Sequence, residues 1–244
     1  PARSGPNCLS SRTTVTGMSE SQHTVAGTVL TMPVRVRKAD VHMAMFTVDA
    51  NAAQRLIDYS GLRVFQHRPG RAVVNVLLTR FIENDLGTYN EFTTCVMVNP
   101  PGSKARGLRA LGAAGAFIHH MMVDQAFTLE AGRKIWGYPK VMADYTIRDG
   151  RRFGFDVRID GSVVAEMEFS RGLPLPDAAS PDSSLSYTRL DGITREMRAQ
   201  QHASAVRGRI GGVTLRLGDH PVANELASLG LPKRAMLSMS IGQV

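Results

Sequence analysis

The sequence predicts a mainly β (α+β) fold, built as a large antiparallel β-barrel-like or strongly twisted sheet with a few short edge helices. Apolar, β-branched runs of strand length recur through the chain at 71–79, 91–98 and 116–123. Two Asp-Gly turn signals divide residues 145–170 into short segments. Helical patterns are few, and strands do not alternate with long helices as they do in parallel α/β folds.

Residues 145–170 carry the most regular strand pattern. In their central part, apolar side chains at Phe153, Phe155 and Val157 alternate with small or polar ones. The same alternation resumes after the second Asp-Gly pair. This pattern predicts a three-stranded antiparallel meander with two tight turns and one buried face.

Three short helices are predicted from the residues at their ends, over 49–61, 128–137 and 219–232. The first begins with Asp49 as an N-cap, and the last begins with Asp219 as an N-cap and a proline in its first turn. A glycine lies at or near the end of each helix.

The composition predicts one globular domain after a flexible leader. With 43% hydrophobic and 20% charged residues, the chain can bury a sizeable core. Residues 1–24 are rich in Ser, Thr, Gly and Pro without apolar periodicity, which is typical of a flexible leader. Met18 is a candidate native start, with the residues before it an added extension. Residues 25–244 are expected to form a single domain.

Cysteine usage and hydropathy predict a cytoplasmic protein without membrane contact. Cys8 and Cys95 are the only cysteines, too few for a disulfide framework, which favours a reducing compartment. No apolar run approaches the roughly 18 to 20 residues of a membrane helix, and no signal-peptide pattern is present.

The net charge of +8 and the pI near 10.0 favour anionic partners. The basic residues are scattered, with the densest groups at 35–38 and 148–152. No helix-turn-helix or zinc-finger spacing is present. A small anionic substrate is therefore predicted in preference to nucleic acid.

Several common catalytic motifs are missing from the sequence. There is no phosphate-binding G-x-x-x-x-G-K-[ST] loop and no G-x-S-x-G nucleophile motif. His119 and His120 are adjacent, so on a regular strand their rings would point to opposite faces and would not share a metal. The expectation is one core histidine and one outward histidine.

Lys140 is a lysine with mostly aromatic and aliphatic neighbours, since it follows Tyr138 and Pro139 directly and precedes Val141 and Met142. An amine attacks a carbonyl group only when it is neutral, and burial among apolar side chains lowers the pKa of a lysine. The proline restricts the backbone and favours a defined loop. By the residues alone, Lys140 is either a surface lysine or a reactive amine.

Four segments resemble the acetoacetate decarboxylase family. "EAGRKIWGYPK" (130–140) is similar to the region around that family's Schiff-base lysine. "LGTYNEF" (86–92) resembles its Leu-Gly-x-Tyr-x-Glu segment, "HHMMVDQAF" (119–127) its Met-rich strand, and residues 211–241 its C-terminal strand, helix and strand. The segments occur in matching order, so the resemblance covers roughly residues 27–244.

The resemblance implies a homo-oligomeric, cofactor-free lyase that decarboxylates acetoacetate or a related β-keto acid in a buried pocket. It makes Lys140 the imine-forming amine, Glu91 the carboxylate beside it and Tyr138 part of the pocket wall. It assigns the binding of the substrate carboxylate to Arg35 or Arg37. These two arginines alternate along a predicted strand, so they could equally form a solvent-exposed row of charges. The imine takes the place of a metal or pyridoxal cofactor as electron sink.

Two departures from the family leave alternatives open. Val141 replaces a second lysine, and in an ungapped alignment Val76 replaces a second pocket carboxylate, with Glu83 nearby in another register. One alternative is an imine-dependent aldolase, dehydratase or hydratase acting on an oxo acid. The other is a non-catalytic small-molecule binding protein in which Lys140 stays charged.

Overall fold

A computed structural model describes residues 21–176 and 183–244 of the chain. In these residues the strands form one twelve-stranded twisted sheet, a four-stranded sheet and a separate hairpin. The prediction of a mainly β fold with short helices is confirmed. The large sheet is open, since its two end strands do not pair with each other, so the twisted-sheet form of the prediction is the one found.

The elements have the following bounds in chain order. The strands are β1 (Ser21–Val25), β2 (Thr28–Met32), β3 (Val36–Asp49), β4 (Arg63–Val64), β5 (Gln66–Arg68), β6 (Arg71–Asn84), β7 (Tyr89–Asn99), β8 (Gly115–Val123), β9 (Lys140–Met142), β10 (Asp144–Arg148), β11 (Phe153–Ile159), β12 (Ser162–Phe169), β13 (Leu173–Pro174), β14 (Ser183–Leu190), β15 (Ile193–Gln200), β16 (Ser204–Arg209), β17 (Val213–Leu217) and β18 (Leu237–Gln243). The helices are α1 (Ala50–Ile57), α2 (Ala126–Ala131) and α3 (Pro221–Ser228), with 3-10 turns at Asp58–Ser60 and Leu108–Ala113 and a π-helical turn at Gly132–Trp136.

The large sheet has the order β13-β16-β18-β3-β6-β7-β8-β14-β15, with β4, β5 and β9 beside this path. Its pairs are antiparallel except that β8 runs parallel to β9 and to β14. The predicted meander is confirmed as β10, β11 and β12, which pair with β17 in the four-stranded sheet. Asp160 and Gly161 both have positive φ, as a two-residue hairpin turn requires, whereas the first Asp-Gly pair lies in a longer connection over 149–152.

The main core lies between the two sheets. Side chains of β7 alternate between its two faces, so Phe92 and Val96 enter the main core while Glu91 and Cys95 face away from it. Helix α2 packs on the face that carries Glu91, since its residues Phe127 and Ala131 share an apolar cluster with Tyr89 of the same strand face. This alternation creates a second, smaller interior in which a charged residue of β7 is buried.

The helix ends agree with the sequence in two cases and differ in one. Asp49 caps α1, since its Oδ1 accepts hydrogen bonds from the N–H groups of residues 51 and 52 at 3.0 and 2.9 Å. Gly137 has φ 70° and ends the helical segment that contains α2. The predicted cap Asp219 is wrong. Pro221 occupies the first helical position, so the capping residue is His220, whose Nδ1 accepts from the N–H of Val222.

Part of the predicted leader, residues 1–20, lies outside the described residues, and residues 21–24 belong to β1. That residues 25–244 form a single domain stays a prediction. In the part of the chain that the structure describes, no helix has the length and apolar character needed to cross a membrane.

His42 is a partly buried titratable group at the junction of the two sheets. Its ring stacks on Phe153 with centroids 3.6 Å apart, and its Nδ1 lies 3.0 Å from Ser240 Oγ. Burial lowers the pKa of His42 to about 4, although the Asp40 carboxylate opposes this shift. The imidazole is therefore neutral in the folded protein at neutral pH.

The burial of His42 predicts a loss of stability in mild acid. Between the ordinary pKa of 6.5 and the folded value of about 4, the unfolded chain binds the extra proton, so stability falls as pH decreases. We expect this residue to account for about 2 kcal/mol of the loss between pH 7 and pH 5. Urea denaturation at both pH values should show a smaller difference for His42→Phe than for the wild type. The same replacement at exposed His202 serves as the control, and an unchanged difference in His42→Phe would contradict the assignment.

Candidate active site

Lys140 and Glu91 meet in the smaller interior of the fold. Lys140 Nζ lies 2.9 Å from Glu91 Oε2 and donates a hydrogen bond of 2.8 Å to Thr128 Oγ1. The lysine side chain is only 3% exposed and the glutamate side chain 12% exposed. The resemblance implied that Glu91 lies beside Lys140, and the two groups are in contact here, while their catalytic roles stay predictions.

The sheet register places the two charged groups on one face. Glu91 of β7 pairs with Val123 of β8, and Lys140 of β9 pairs with Met121 of β8. Directly paired residues point to the same side of a sheet, and Met121 and Val123 are two positions apart on one strand. A lysine and a glutamate on strands either side of β8 therefore lie on the same face.

Two tyrosines surround the amine. The ring centroids of Tyr89 and Tyr138 lie 5.0 and 6.0 Å from Lys140 Nζ. Burial raises the pKa of Tyr138 to about 12, and the negative charge of Glu91 adds to the shift. The same two causes raise the pKa of Tyr89 well above its usual value, although a hydrogen bond with Thr128 acts to lower it. Both phenols are therefore neutral at physiological pH, and they present aromatic faces to the amine.

The π-helical turn between α2 and β9 fixes the backbone of Lys140. The N–H of Tyr138 donates to the carbonyl of Gly132 at 3.0 Å, and Arg133 Nε donates to the carbonyl of Lys140 at 2.7 Å. A Cβ atom at Gly132 would lie 2.6 Å from Lys140 Cδ and 2.7 Å from its Cε. The Gly-Arg pair before the lysine therefore provides space for its side chain and a hydrogen bond to its backbone. Single π-helical turns occur frequently at functional sites.

Arg35 and Arg37 lie on the surface, and neither forms a hydrogen bond or an ion pair with Lys140 or Glu91. Arg37 pairs with Asp85 at 2.7 Å, and Arg35 donates its backbone N–H to the same carboxylate. Among the described residues, the guanidinium of Arg35 has no hydrogen bond or ion pair. Val34, its neighbour in sequence, packs against the cluster of buried residues that includes Tyr89.

The two family departures concern positions on the other face of the strands. Val141 packs against the main core, so it faces away from the Lys140 amine. Val76 is fully buried in the same core and pairs with Thr94, whereas the cross-strand partner of Glu91 is Thr79. The ungapped alignment therefore placed the missing carboxylate on the face opposite Glu91. Glu83 is exposed, which also separates it from the buried pair.

Sequence reasoning assigned no role to Thr128, Tyr89, Gly132 or Arg133, although all four contact Lys140. Tyr89 lies inside the Leu-Gly-x-Tyr-x-Glu segment, where it precedes Glu91 by two residues and so shares its strand face. That spacing was a usable signal. Thr128 had no comparable signal, because only the tertiary structure brings α2 over β9.

The expectation that His119 and His120 point to opposite faces is wrong. Their ring centroids are 4.2 Å apart, and both Nε2 atoms lie 2.8 Å from Glu225 Oε2 of α3. The register of β7 and β8 shifts at this point, since Thr94 pairs with His120 and the next residue of β7 pairs with Ile118. His119 is thus the extra residue of a β-bulge, which breaks the alternation of side chains.

The fold and this site define a class of protein in which an open, twisted β-sheet buries one lysine against one carboxylate. A model of the acetoacetate decarboxylase (ADC) family matches residues 20–243. The chain therefore belongs to the acetoacetate decarboxylase family. No curated protein matches the sequence closely enough to count as a relative.

Solved structures show the same fold at low sequence identity. One described as "Structural Studies of Acetoacetate Decarboxylase" is 19% identical with a TM-score of 0.63, covering 86% of this chain and 84% of that one. Acetoacetate decarboxylase from Legionella pneumophila is 16% identical with a TM-score of 0.60, covering 87% of both chains. The enduracididine biosynthesis enzyme MppR, in complex with the condensation product of pyruvate and imidazole 4-carboxaldehyde, is 19% identical with a TM-score of 0.53, covering 84% of both chains.

Proposed function

We propose that the protein is a cofactor-independent lyase that decarboxylates acetoacetate or a related β-keto acid through an imine on Lys140. The observation that carries the proposal is the buried contact of 2.9 Å between Lys140 Nζ and Glu91 Oε2. Membership of the acetoacetate decarboxylase family supports the choice of substrate class. The Schiff-base lysine of acetoacetate decarboxylase is itself a standard example of an amine activated by its surroundings.

The first half of the reaction forms the imine. Glu91 takes a proton from the ammonium of Lys140, and the neutral amine adds to the ketone carbon of the substrate. A proton moves from the added nitrogen to the oxygen to give the carbinolamine, and Glu91 then returns its own proton to this hydroxyl, which leaves as water and leaves a protonated imine. Thr128 Oγ1, at 2.8 Å from Nζ, orients the amine during the attack.

The second half breaks the carbon–carbon bond. The electron pair of the bond to the carboxylate moves into the protonated imine, carbon dioxide leaves, and an enamine remains on Lys140. A proton is added to the enamine carbon, and water hydrolyses the resulting imine to release the ketone and the free amine. The enclosed, largely apolar surroundings favour loss of the carboxylate charge.

The substrate carboxylate is proposed to bind Arg35 or Arg37, and Tyr138 to form part of the pocket wall. Of the two arginines, Arg35 has the guanidinium without a hydrogen bond among the described residues, whereas Arg37 is already paired with Asp85. A homo-oligomer acting in the cytoplasm on a small oxo acid, without metal or pyridoxal cofactor, completes the proposal.

The second candidate function also uses an imine on Lys140, but a different bond of the substrate is formed or broken. An enamine on Lys140 that attacks an aldehyde would give an aldolase, and loss or addition of water would give a dehydratase or hydratase. MppR, which shares this fold, has been solved with pyruvate and with a condensation product of pyruvate. A binding protein without catalysis is the third candidate and requires that Lys140 form no imine.

Reductive trapping tests the imine directly. The protein is incubated with acetoacetate or with pyruvate, reduced with borohydride and analysed by intact mass and peptide mapping. We expect one adduct per chain on Lys140, an isopropyl group after decarboxylation of acetoacetate or a carboxyethyl group with pyruvate. The peptide that carries exposed Lys134 is the internal control and should stay unmodified. Release of carbon dioxide without a condensed product then distinguishes the decarboxylase from the aldolase, and no adduct with any oxo acid would overturn both.

A further inference from the structure

The β-bulge in β8 creates a second cluster of chemically competent side chains. His119 Nε2 and His120 Nε2 each lie 2.8 Å from the same oxygen of Glu225. One ligand atom from each residue lies within 4.8 Å of the other two. Two imidazoles and one carboxylate are the ligand set of many zinc sites, and ligands this close can surround one ion. The side chains are 11%, 23% and 41% exposed, so an ion has access from solvent.

We propose that His119, His120 and Glu225 form a binding site for a divalent transition metal, zinc in particular, that is separate from Lys140. Each residue contributes one ligand atom, which leaves the fourth position of a tetrahedral site open to water. The site joins α3 to β8, so a bound ion would hold the helix against the large sheet. This inference is independent of the proposed function.

The surroundings of the cluster suit a metal ligand set. The hydroxyl of Tyr59 lies 3.1 Å from Nδ1 of His119. A carboxylate oxygen only accepts, so in a neutral ring Nε2–H is the donor to Glu225 and Nδ1 is left to accept from the hydroxyl. With a metal on Nε2, the proton moves to Nδ1 and is donated to the Tyr59 oxygen, so the neutral ring is held in its ligand orientation.

One of the residues that line the cavity beside the histidines carries an unpartnered polar atom. Thr94 Oγ1 is buried without a hydrogen-bond partner among the described residues, and Thr94 lines the cavity together with both histidines and Glu225. Leu226 and Leu229 line the cavity beside them, and apolar walls strengthen the electrostatic attraction between a cation and Glu225.

Zinc titration tests the site. Tag-free protein is treated with a chelator, freed of the chelator, and titrated with Zn²⁺ against a chromophoric competitor. We expect one equivalent per chain, and Glu225→Gln and His120→Gln should each weaken the affinity by more than about 100-fold. Co²⁺ in place of Zn²⁺ should give the intense visible absorption of a tetrahedral ion in the wild type. His202→Gln, an exposed histidine elsewhere in the chain, is the matched control and should bind like the wild type.

The results that would overturn the zinc site differ from those that would overturn the imine proposal. No zinc binding by the wild type, or the same affinity in Glu225→Gln and His120→Gln, would overturn the site. Borohydride trapping at Lys140 in Glu225→Gln should stay at the wild-type level, so failure of the zinc site and failure of the imine proposal are read separately. Circular dichroism of each variant shows whether it has folded.

Discussion

Replacement of Lys140 by methionine is expected to lower kcat/KM for the decarboxylated substrate by about 10⁴-fold or more. Methionine is close in length to the apolar stem of lysine and fills the same space, but it has no amine and forms no imine. Trapping with borohydride should give no adduct in this variant. Steady-state kinetics with the substrate identified by trapping provides the measurement.

The same substitution should also destabilise the protein, because it leaves Glu91 buried without its partner. Removing one member of a buried ion pair typically costs about 3–5 kcal/mol. In Lys140→Met with Glu91→Gln, the remaining carboxylate becomes a neutral amide and most of that stability should return. Urea denaturation of the wild type, both single variants and the double variant measures the coupling.

Lys134→Met is the matched control for the lysine. Lys134 lies on the π-helical turn just before Lys140, but it is exposed and pairs with Glu130. Surface ion pairs contribute little, so this variant should keep wild-type activity and stability. Full activity of Lys140→Met would rule out the proposed nucleophile, and full stability would show that Glu91 is not held as a charged partner.

Gly132→Ala is expected to reduce kcat by about 10²-fold without unfolding the protein. Gly132 has helical dihedral angles, φ −60° and ψ −43°, so its backbone accepts alanine. The added methyl group, however, would lie 2.6 Å from Lys140 Cδ. The lysine side chain must move, and a displacement of about 1 Å of a reacting group typically costs 10²-fold in rate.

The control for this substitution is Gly112→Ala. Gly112 also lies in a short helical segment, and a Cβ there has no neighbour within 4 Å. Activity should be unchanged in Gly112→Ala and reduced in Gly132→Ala, while circular dichroism spectra of both match the wild type. Equal activity of the two variants would contradict the view that Gly132 makes room for the amine.

The strand pattern was predictable because alternation and turn chemistry are local. The apolar positions of β11 and the Asp160-Gly161 turn follow from period-two packing and from the dihedral angles that a tight hairpin needs. The N-cap of α1 at Asp49 is similarly local. The N-cap of α3 was misplaced by one residue, from His220 to Asp219, because a good capping residue stands directly before the real one.

The site was predictable only in part. Lys140 and Glu91 came from the resemblance, and the register of β7, β8 and β9 accounts for their contact. The missing second carboxylate was assigned to Val76, which lies on the wrong face, since an ungapped alignment carries no information about strand faces. Arg35 and Arg37 remain proposals as carboxylate ligands.

By itself, the sequence determined the β-rich class, the turns and the apolar setting of Lys140, since each depends on neighbours along the chain. Only the tertiary structure decided which other groups touch the amine, because Thr128 reaches it from helix α2 through a fold of the chain that no local pattern indicates. It also decided the position of the two histidines. One extra residue in β8 reverses the face of a side chain, and so His119 joins His120 at Glu225.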